Sequence, residues 1–142
     1  MNVMNYRWLR GMMRRQVKSY KLHDSGQRQP FDSGAVRDSQ EGKGRFDLIT
    51  PFMLTRLAQV YEKGARKYDA RNWEKGMPFS RFLDSAMRHI IKYELGYTDE
   101  DHLAQAIWNL SCIVHFEELI DRGLADASLN DLPLYLRDKN EK

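Results

Sequence analysis

Three stretches of the chain repeat apolar residues every three or four positions, and each is bounded by residues that start or stop a helix. Leu54, Leu57, Ala58, Tyr61, Ala65 and Tyr68 make the first set. Leu83, Ala86, Met87, Ile90 and Ile91 make the second. Leu103, Ala106, Ile107, Leu110, Ile113 and Val114 make the third. Such spacing puts each set on one side of a helix and marks that side for burial. Thr50 offers a cap and Pro51 a first-turn residue to the first helix, and Ser80 offers a cap to the second. The third is predicted to open at Thr98, with Asp99, Glu100 and Asp101 in a first turn where carboxylates suit the helix dipole. Gly96 and Gly123 stop the second and third helices. The short link between these two calls for antiparallel neighbours. Residues 23–49 are polar and glycine-rich and read as a long loop. No set of alternating segments could build a sheet. The expected fold is all-α, an antiparallel helical bundle.

A chain of 142 residues suits one domain, burying roughly two-thirds of its unfolded surface. Its 42% apolar and 30% charged residues exclude a disordered tail. No apolar run approaches the ~20 residues of a membrane span. The lone Cys112 excludes an internal disulfide and favours a reducing, cytoplasmic setting. Its apolar mid-helix context marks a structural thiol. The net charge of +3 is concentrated early, because Arg7, Arg10, Arg14, Arg15, Lys18 and Lys21 all precede the first acid, Asp24. Three readings of residues 1–22 stand: a docking helix or frayed extension, a basic surface helix for membrane or nucleic acid, or an upstream translation start. The charge excess is too local and too small to mark a nucleic-acid protein. These features divide the chain into a basic extension (1–25), a helical domain (26–124) and a tail (125–142), in which Leu132, Leu134 and Leu136 are placed to pack back.

Polar groups border the apolar sets. Glu62 lies four residues from both Ala58 and Arg66, and Asp84 lies four from Arg88, with His89 next. His102, Gln105 and Asn109 share one stripe of the third helix. Each has a plain structural reading, as a helix-surface ion pair or a satisfied histidine. Together they bring an acid or imidazole from three helices to the margin of one core, which is how bundles hold divalent metals. Arg37, Lys43 and Arg45 before the first helix, and Arg66 and Lys67 at its end, are basic groups of the kind that bind phosphates, and Tyr68 or Trp73, on either side of Asn72, can stack on a base. The loop Gly42-Lys43-Gly44-Arg45 is not a Walker A loop: no Ser or Thr follows the lysine, and no glycine stands five residues earlier.

Six blocks carry a family resemblance: SGAVRD (33–38), GKGRFDLI (42–49), YEKGARKY (61–68), RNWEKGMP (71–78), LDSAMRH (83–89) and DHLAQAIWNL (101–110). From about Phe31 to Leu119 the chain resembles the N-terminal domain of phage dATP/dGTP diphosphohydrolases, a relative of the all-α MazG-like nucleoside triphosphate pyrophosphohydrolases. The resemblance implies hydrolysis of a purine deoxynucleoside triphosphate to the monophosphate and pyrophosphate, in the host cytoplasm if the protein is phage-encoded. It implies Mg²⁺ or Mn²⁺ as cofactor, and a homo-oligomer, dimer or tetramer, without membrane or nucleic-acid partners.

On this resemblance Glu62, Asp84, His89, Asp101 and His102 form the pool of metal ligands, with Glu62, Asp84 and His102 as the catalytic set; Arg37, Lys43, Arg45, Lys67 and Arg88 would hold phosphates, and Tyr68, Asn72, Trp73 and Asn109 would shape the base and sugar pocket. The chain departs from the wider pattern. It lacks a Glu-Glu-x-x-Glu motif before the third helix and has His102-Leu-Ala-Gln105 where Glu-x-x-Asp would fall. Gln105 stands where the nearer family often has another histidine. A second reading is a binding relative without turnover. A third, an HD-type triphosphohydrolase, needs a His-Asp pair inside the domain, whereas the sequence has only His23-Asp24 before it.

Overall fold

The computed structural model describes residues 23–24, 26–133 and 135. The readings placed on residues 1–22, Leu134 and Leu136 lie outside that range. The described residues form two compact units that divide between Gly44 and Arg45.

The N-terminal unit is a short antiparallel hairpin. Its strands β1 (Arg28–Pro30) and β2 (Val36–Asp38) pair Arg28 with Asp38 and Pro30 with Val36. This corrects the reading of residues 23–49 as one long loop. Strands of three residues are too short to show an alternating pattern. Cross-strand charge holds them instead, since Arg28 Nη1 lies 2.6 Å from both Asp24 Oδ1 and Asp38 Oδ1. Gly34, at φ +83°, turns the hairpin, and its N–H donates to the Phe31 carbonyl at 2.8 Å.

The second unit is all-α, as expected. It contains α1 (Pro51–Tyr68), α2 (Phe79–Glu94) and α3 (His102–Asp121). Single 3-10 turns occupy Phe46–Leu48, Asn72–Lys75 and Ala127–Leu129. Helix α3 is the middle element and packs on both α2 and α1. Contacts between His89 and His102, and between Phe82 and Phe116, show that α2 runs antiparallel to α3. Contacts from Arg56 to Asp101 and from Tyr61 to Ser111 show α1 running in the same sense as α3, an up-down-up arrangement.

The core lies between α2 and α3, where Phe79, Phe82, Cys112 and Phe116 are buried. Burial pushes the Cys112 thiol up to about 12, as suits a structural thiol. Trp73, from the loop after α1, packs against this cluster and meets Phe116 edge-on. To deliver it the chain takes positive φ at Asp69 (78°) and Arg71 (61°), both costly for non-glycine residues. Gly76 follows at φ +90°, where a Cβ would sit 3.3 Å from both Leu129 methyl groups. That contact brings the Ala127–Leu129 turn down on the core, with Leu132 beyond it.

Three helix details differ from expectation. Ser80 is not the cap of α2 but sits in its first turn. The Asp131 carboxylate accepts from the Ser80 N–H at 2.8 Å and from its hydroxyl at 2.5 Å, so a residue about fifty positions away does the capping. Helix α3 starts at His102 rather than Thr98, because Asp101 accepts the Ala104 N–H at 3.1 Å and fixes the first turn there. The apolar sets also outrun the core. On α1 the inward residues are Met53, Leu57, Val60, Tyr61 and Gly64, while Leu54, Ala58 and Ala65 are exposed. On α2 they are Phe79, Phe82 and Ala86, while Leu83, Met87 and Ile91 are exposed.

Phe82→Ala is expected to lower the unfolding free energy by about 3–5 kcal/mol. Phe46→Ala, at a position 79% exposed, should stay within about 0.5 kcal/mol of the parent. Denaturant midpoints at constant m-value check both.

Candidate metal centre

Where α2 ends and α3 begins, two imidazoles and two carboxylates come together. His89 is in the last turns of α2, and His102 is the first residue of α3. Their Nδ1 atoms are 3.0 Å apart. His102 is 2% exposed and His89 half-buried. The second ring nitrogen of His102, Nε2, lies 2.9 Å from Asp99 Oδ1. His89, Glu100 and His102 each place a ligand atom within 4.8 Å of the others. A carboxylate only accepts, so His102 Nε2 carries the proton and, in the neutral ring, Nδ1 offers a lone pair towards His89. Imidazole nitrogens this close share either a proton or a cation.

The local chain explains the cluster. With α3 capped at Asp101, Asp99 and Glu100 stay in the preceding turn and are not consumed as helix residues. Asp101 also accepts from Arg56 of α1, with Nε at 2.7 Å and Nη2 at 2.5 Å. The guanidinium, aided by the Ala104 N–H, holds the Asp101 carboxyl below the usual range. The His102 contact does the same for Asp99, so both carboxylates remain charged in weak acid. Burial pushes the His89 imidazole down, against the pull of Glu100, which favours the neutral ring a metal requires.

Cations flank the cluster. Arg56, Lys63 and Lys67 follow at i, i+7 and i+11, one flank of α1. Lys63 acts electrostatically on Asp101, and Lys67 on Glu100. From α2, Arg88 and Lys92 act on His89, and Lys92 Nζ is 3.9 Å from Asp99 Oδ2. Carboxylates and imidazoles for a cation, ringed by lysines and arginines, suit a ligand that is itself polyanionic.

The predicted site residues divide. His89 and His102 meet, Lys67 and Arg88 flank them, and Asp101 lies beside them as cap and Arg56 partner. Glu62 pairs with Arg66, and Asp84 Oδ2 lies 3.1 Å from Arg88 Nη2, both as exposed helix-surface pairs. Tyr68 carries Lys67 over its ring at 5.0 Å. Asn72 accepts from Lys75 at 3.1 Å. Asn109, 4% exposed, donates to the Gln105 carbonyl at 2.8 Å. Trp73 sits in an aromatic group with Tyr61 and His115. Arg45 is held by Asp47 at 2.6–2.8 Å. Arg37 and Lys43 belong to the N-terminal unit, Arg37 on β2 opposite Gln29. Asp99, Glu100, Arg56, Lys63 and Lys92 were missed. The i, i+7, i+11 cations of α1 were visible in the sequence, whereas the two acids were disguised as a helix cap.

Residues 33–126 match the profile of the family described as dATP/dGTP diphosphohydrolase, N-terminal. The chain belongs to this family. The matched range contains every residue of the imidazole–carboxylate cluster and its flanking cations. Among similar proteins, a dATP/dGTP diphosphohydrolase of Salmonella phage PMBT28 is 33% identical over 61 residues, 43% of this chain and 21% of the relative. The aligned stretch therefore spans about a fifth of the relative's length. No solved structure matches. Among the described residues, no helix is long and apolar enough to cross a membrane.

The Asp101 contacts give a pH prediction. A carboxyl whose folded pKa lies below its unfolded value takes up fewer protons in acid than the unfolded chain does. Its stabilisation is complete above roughly pH 4 and is lost as pH falls further. Asp101→Asn should lower stability at pH 7 and flatten the acid limb of the stability–pH curve, checked by urea melts from pH 7 to pH 3.

Proposed function

We propose that the chain hydrolyses a purine deoxynucleoside triphosphate to the monophosphate and pyrophosphate, at a site centred on His89, Glu100 and His102. The observation that carries this is a buried and a half-buried imidazole beside an exposed carboxylate, with cations of two helices acting on them, within a domain of the dATP/dGTP diphosphohydrolase family. Water adds its oxygen to the α-phosphorus, and the α–β bridging bond breaks. Pyrophosphate leaves with the bridging oxygen, and the water proton is released.

Such chemistry needs positioning and charge neutralisation more than covalent help from the protein. Lys63, Lys67 and Lys92 would hold the β- and γ-phosphates. His89, Glu100 and His102 fit a divalent cation, because they supply neutral nitrogen and charged oxygen donors at one point. A divalent ion bound there would lower the pKa of a bound water and draw charge from the phosphate. Tyr68 and Asn72, which follow Lys67, would meet the sugar or base.

We further propose that the protein works as a homo-oligomer, a second copy covering apolar surface that one chain leaves bare. Leu83, Met87 and Ile91 repeat at i, i+4 and i+8 along α2, with Met87 50% exposed. Ile107, Leu110 and Val114 repeat along α3, with Val114 64% exposed. Asp84 and Arg88 flank the α2 stripe and neutralise each other, so two copies can meet without like-charge repulsion. Met87→Glu should then shift the protein to monomer in light scattering at micromolar concentration. A parent chain that is already monomeric removes this proposal.

The activity is tested by incubating the full chain with dATP, dGTP, dCTP and dTTP plus divalent ions and identifying products. Pyrophosphate and a purine monophosphate are expected, and Lys67→Ala should raise KM by about tenfold, the worth of one charge-assisted contact of ~1.4 kcal/mol. Triphosphate as product would replace the reading with an HD-type reaction. Nucleotide binding without turnover would make the protein a binding relative.

A further inference from the structure

We infer that the His89–Glu100–His102 cluster is selective for a nitrogen-preferring transition ion, of the Zn²⁺, Ni²⁺ or Co²⁺ class, and that Asp99 is the positioning residue that creates this selectivity. The inference rests on the proposed metal-dependent reading of the same site and specifies the ion that the reading leaves open.

The donor set is the first reason. Two of the three candidate ligands are imidazoles, and only Glu100 supplies oxygen. Mg²⁺ prefers a shell of carboxylate and water oxygens, holds that shell tightly and gains little from imidazole. Neutral imidazole suits ions later in the first row, whose affinity for nitrogen rises from Mn²⁺ through Co²⁺ to Ni²⁺. The expected order is therefore Zn²⁺, Ni²⁺ and Co²⁺ above Mn²⁺, with Mg²⁺ last.

The second reason is orientation. Asp99 Oδ1 is 2.9 Å from His102 Nε2, and His89 Nδ1 is 3.0 Å from His102 Nδ1. By accepting the Nε2 proton, Asp99 fixes the tautomer that leaves His102 Nδ1 bare and points that lone pair at His89. A carboxylate behind a ligating imidazole does this in many metal sites, and its loss typically weakens metal affinity 10- to 100-fold. Asp99 is itself exposed and reaches Lys92 at 3.9 Å, so it is charged and available for this task. His102 is 2% exposed. A buried ring with a bare nitrogen, set 3.0 Å from a second imidazole, has no use for a strongly hydrated ion that keeps its waters.

The third reason concerns the neighbours. Arg56 bonds Asp101, next to His102, and Lys92 Nζ lies 3.9 Å from Asp99, so cations border the cluster. Their field repels any cation held by charge alone, which weakens a Mg²⁺ site built on one carboxylate. Coordination through neutral nitrogen, with its covalent share, tolerates that field better.

The test is metal binding by the full, tag-free chain without nucleotide, using isothermal titration and the visible absorption of bound Co²⁺. The expected result is one Co²⁺ or Zn²⁺ per chain, at least 100-fold tighter than Mg²⁺, with a Co²⁺ spectrum that shows nitrogen ligation. Asp99→Asn should weaken Co²⁺ 10- to 100-fold and move the His102 ¹⁵N resonances towards a mixed tautomer, a shift that a purely structural role would not produce. Glu100→Gln, at an exposed position that leaves the fold intact, should also weaken binding. His23→Gln, in the N-terminal unit, should leave it unchanged. Equal affinity for Mg²⁺, or Co²⁺ binding indifferent to both Asp99→Asn and Glu100→Gln, overturns the inference. A chain that binds Co²⁺ as described but hydrolyses no nucleotide leaves the inference standing and removes the proposed function instead.

Discussion

The carboxylate of Asp101 decides where the third helix begins, and the rest of the site depends on that point. It accepts the Ala104 N–H and both contacting nitrogens of Arg56, so one side chain caps α3 and ties it to α1. A start one turn earlier would draw Asp99 and Glu100 into the helix and rotate them with its surface. With the start held at His102, both acids remain in the turn beside the end of α2, where His89 meets His102. The pair Arg56–Asp101 is half-exposed and adds little net energy by itself. Its value lies in register: it fixes which residues are helix and which are turn.

Helix existence was legible in the sequence because periodicity is a property of the chain. Pro51, Gly96 and Gly123 mark real ends for the same reason. The buried faces were less legible. Leu83, Met87 and Ile91 have the right spacing, yet α3 covers the neighbouring strip of Phe79, Phe82 and Ala86. A periodic pattern shows that a side of a helix is apolar and does not name the element that covers it. Helix α3 carries the ambiguity furthest, since α2 covers one side, α1 another, and Ile107, Leu110 and Val114 are left bare. Capping from a distance was also beyond reach, because nothing local links Ser80 to Asp131.

The candidate site was half legible. His89 and His102 could be chosen because imidazoles beside a core stripe are uncommon. The same spacing rule marks Glu62 and Asp84, but the i+4 arginines that make them conspicuous hold them on the helix surfaces. Asp99 and Glu100 do not stand out in the sequence, because acids ahead of a helix have an ordinary explanation in the dipole. Sequence spacing could not decide between cap and ligand, since that turns on one hydrogen bond at Asp101. The cations of α1 and α2 that act on the cluster's acids and imidazole are the charge on which the proposed triphosphate reading rests. That arrangement fits a triphosphate better than a neutral metabolite.

The central claim is that the two Nδ1 atoms at 3.0 Å are poised to share a cation rather than only a proton. Crystals grown with Zn²⁺ and measured on both sides of the zinc absorption edge test it most directly. One anomalous peak per chain is expected, within bonding distance of His89 Nδ1, His102 Nδ1 and a Glu100 oxygen. A peak elsewhere, or none there with the imidazoles still hydrogen-bonded to each other, would contradict it.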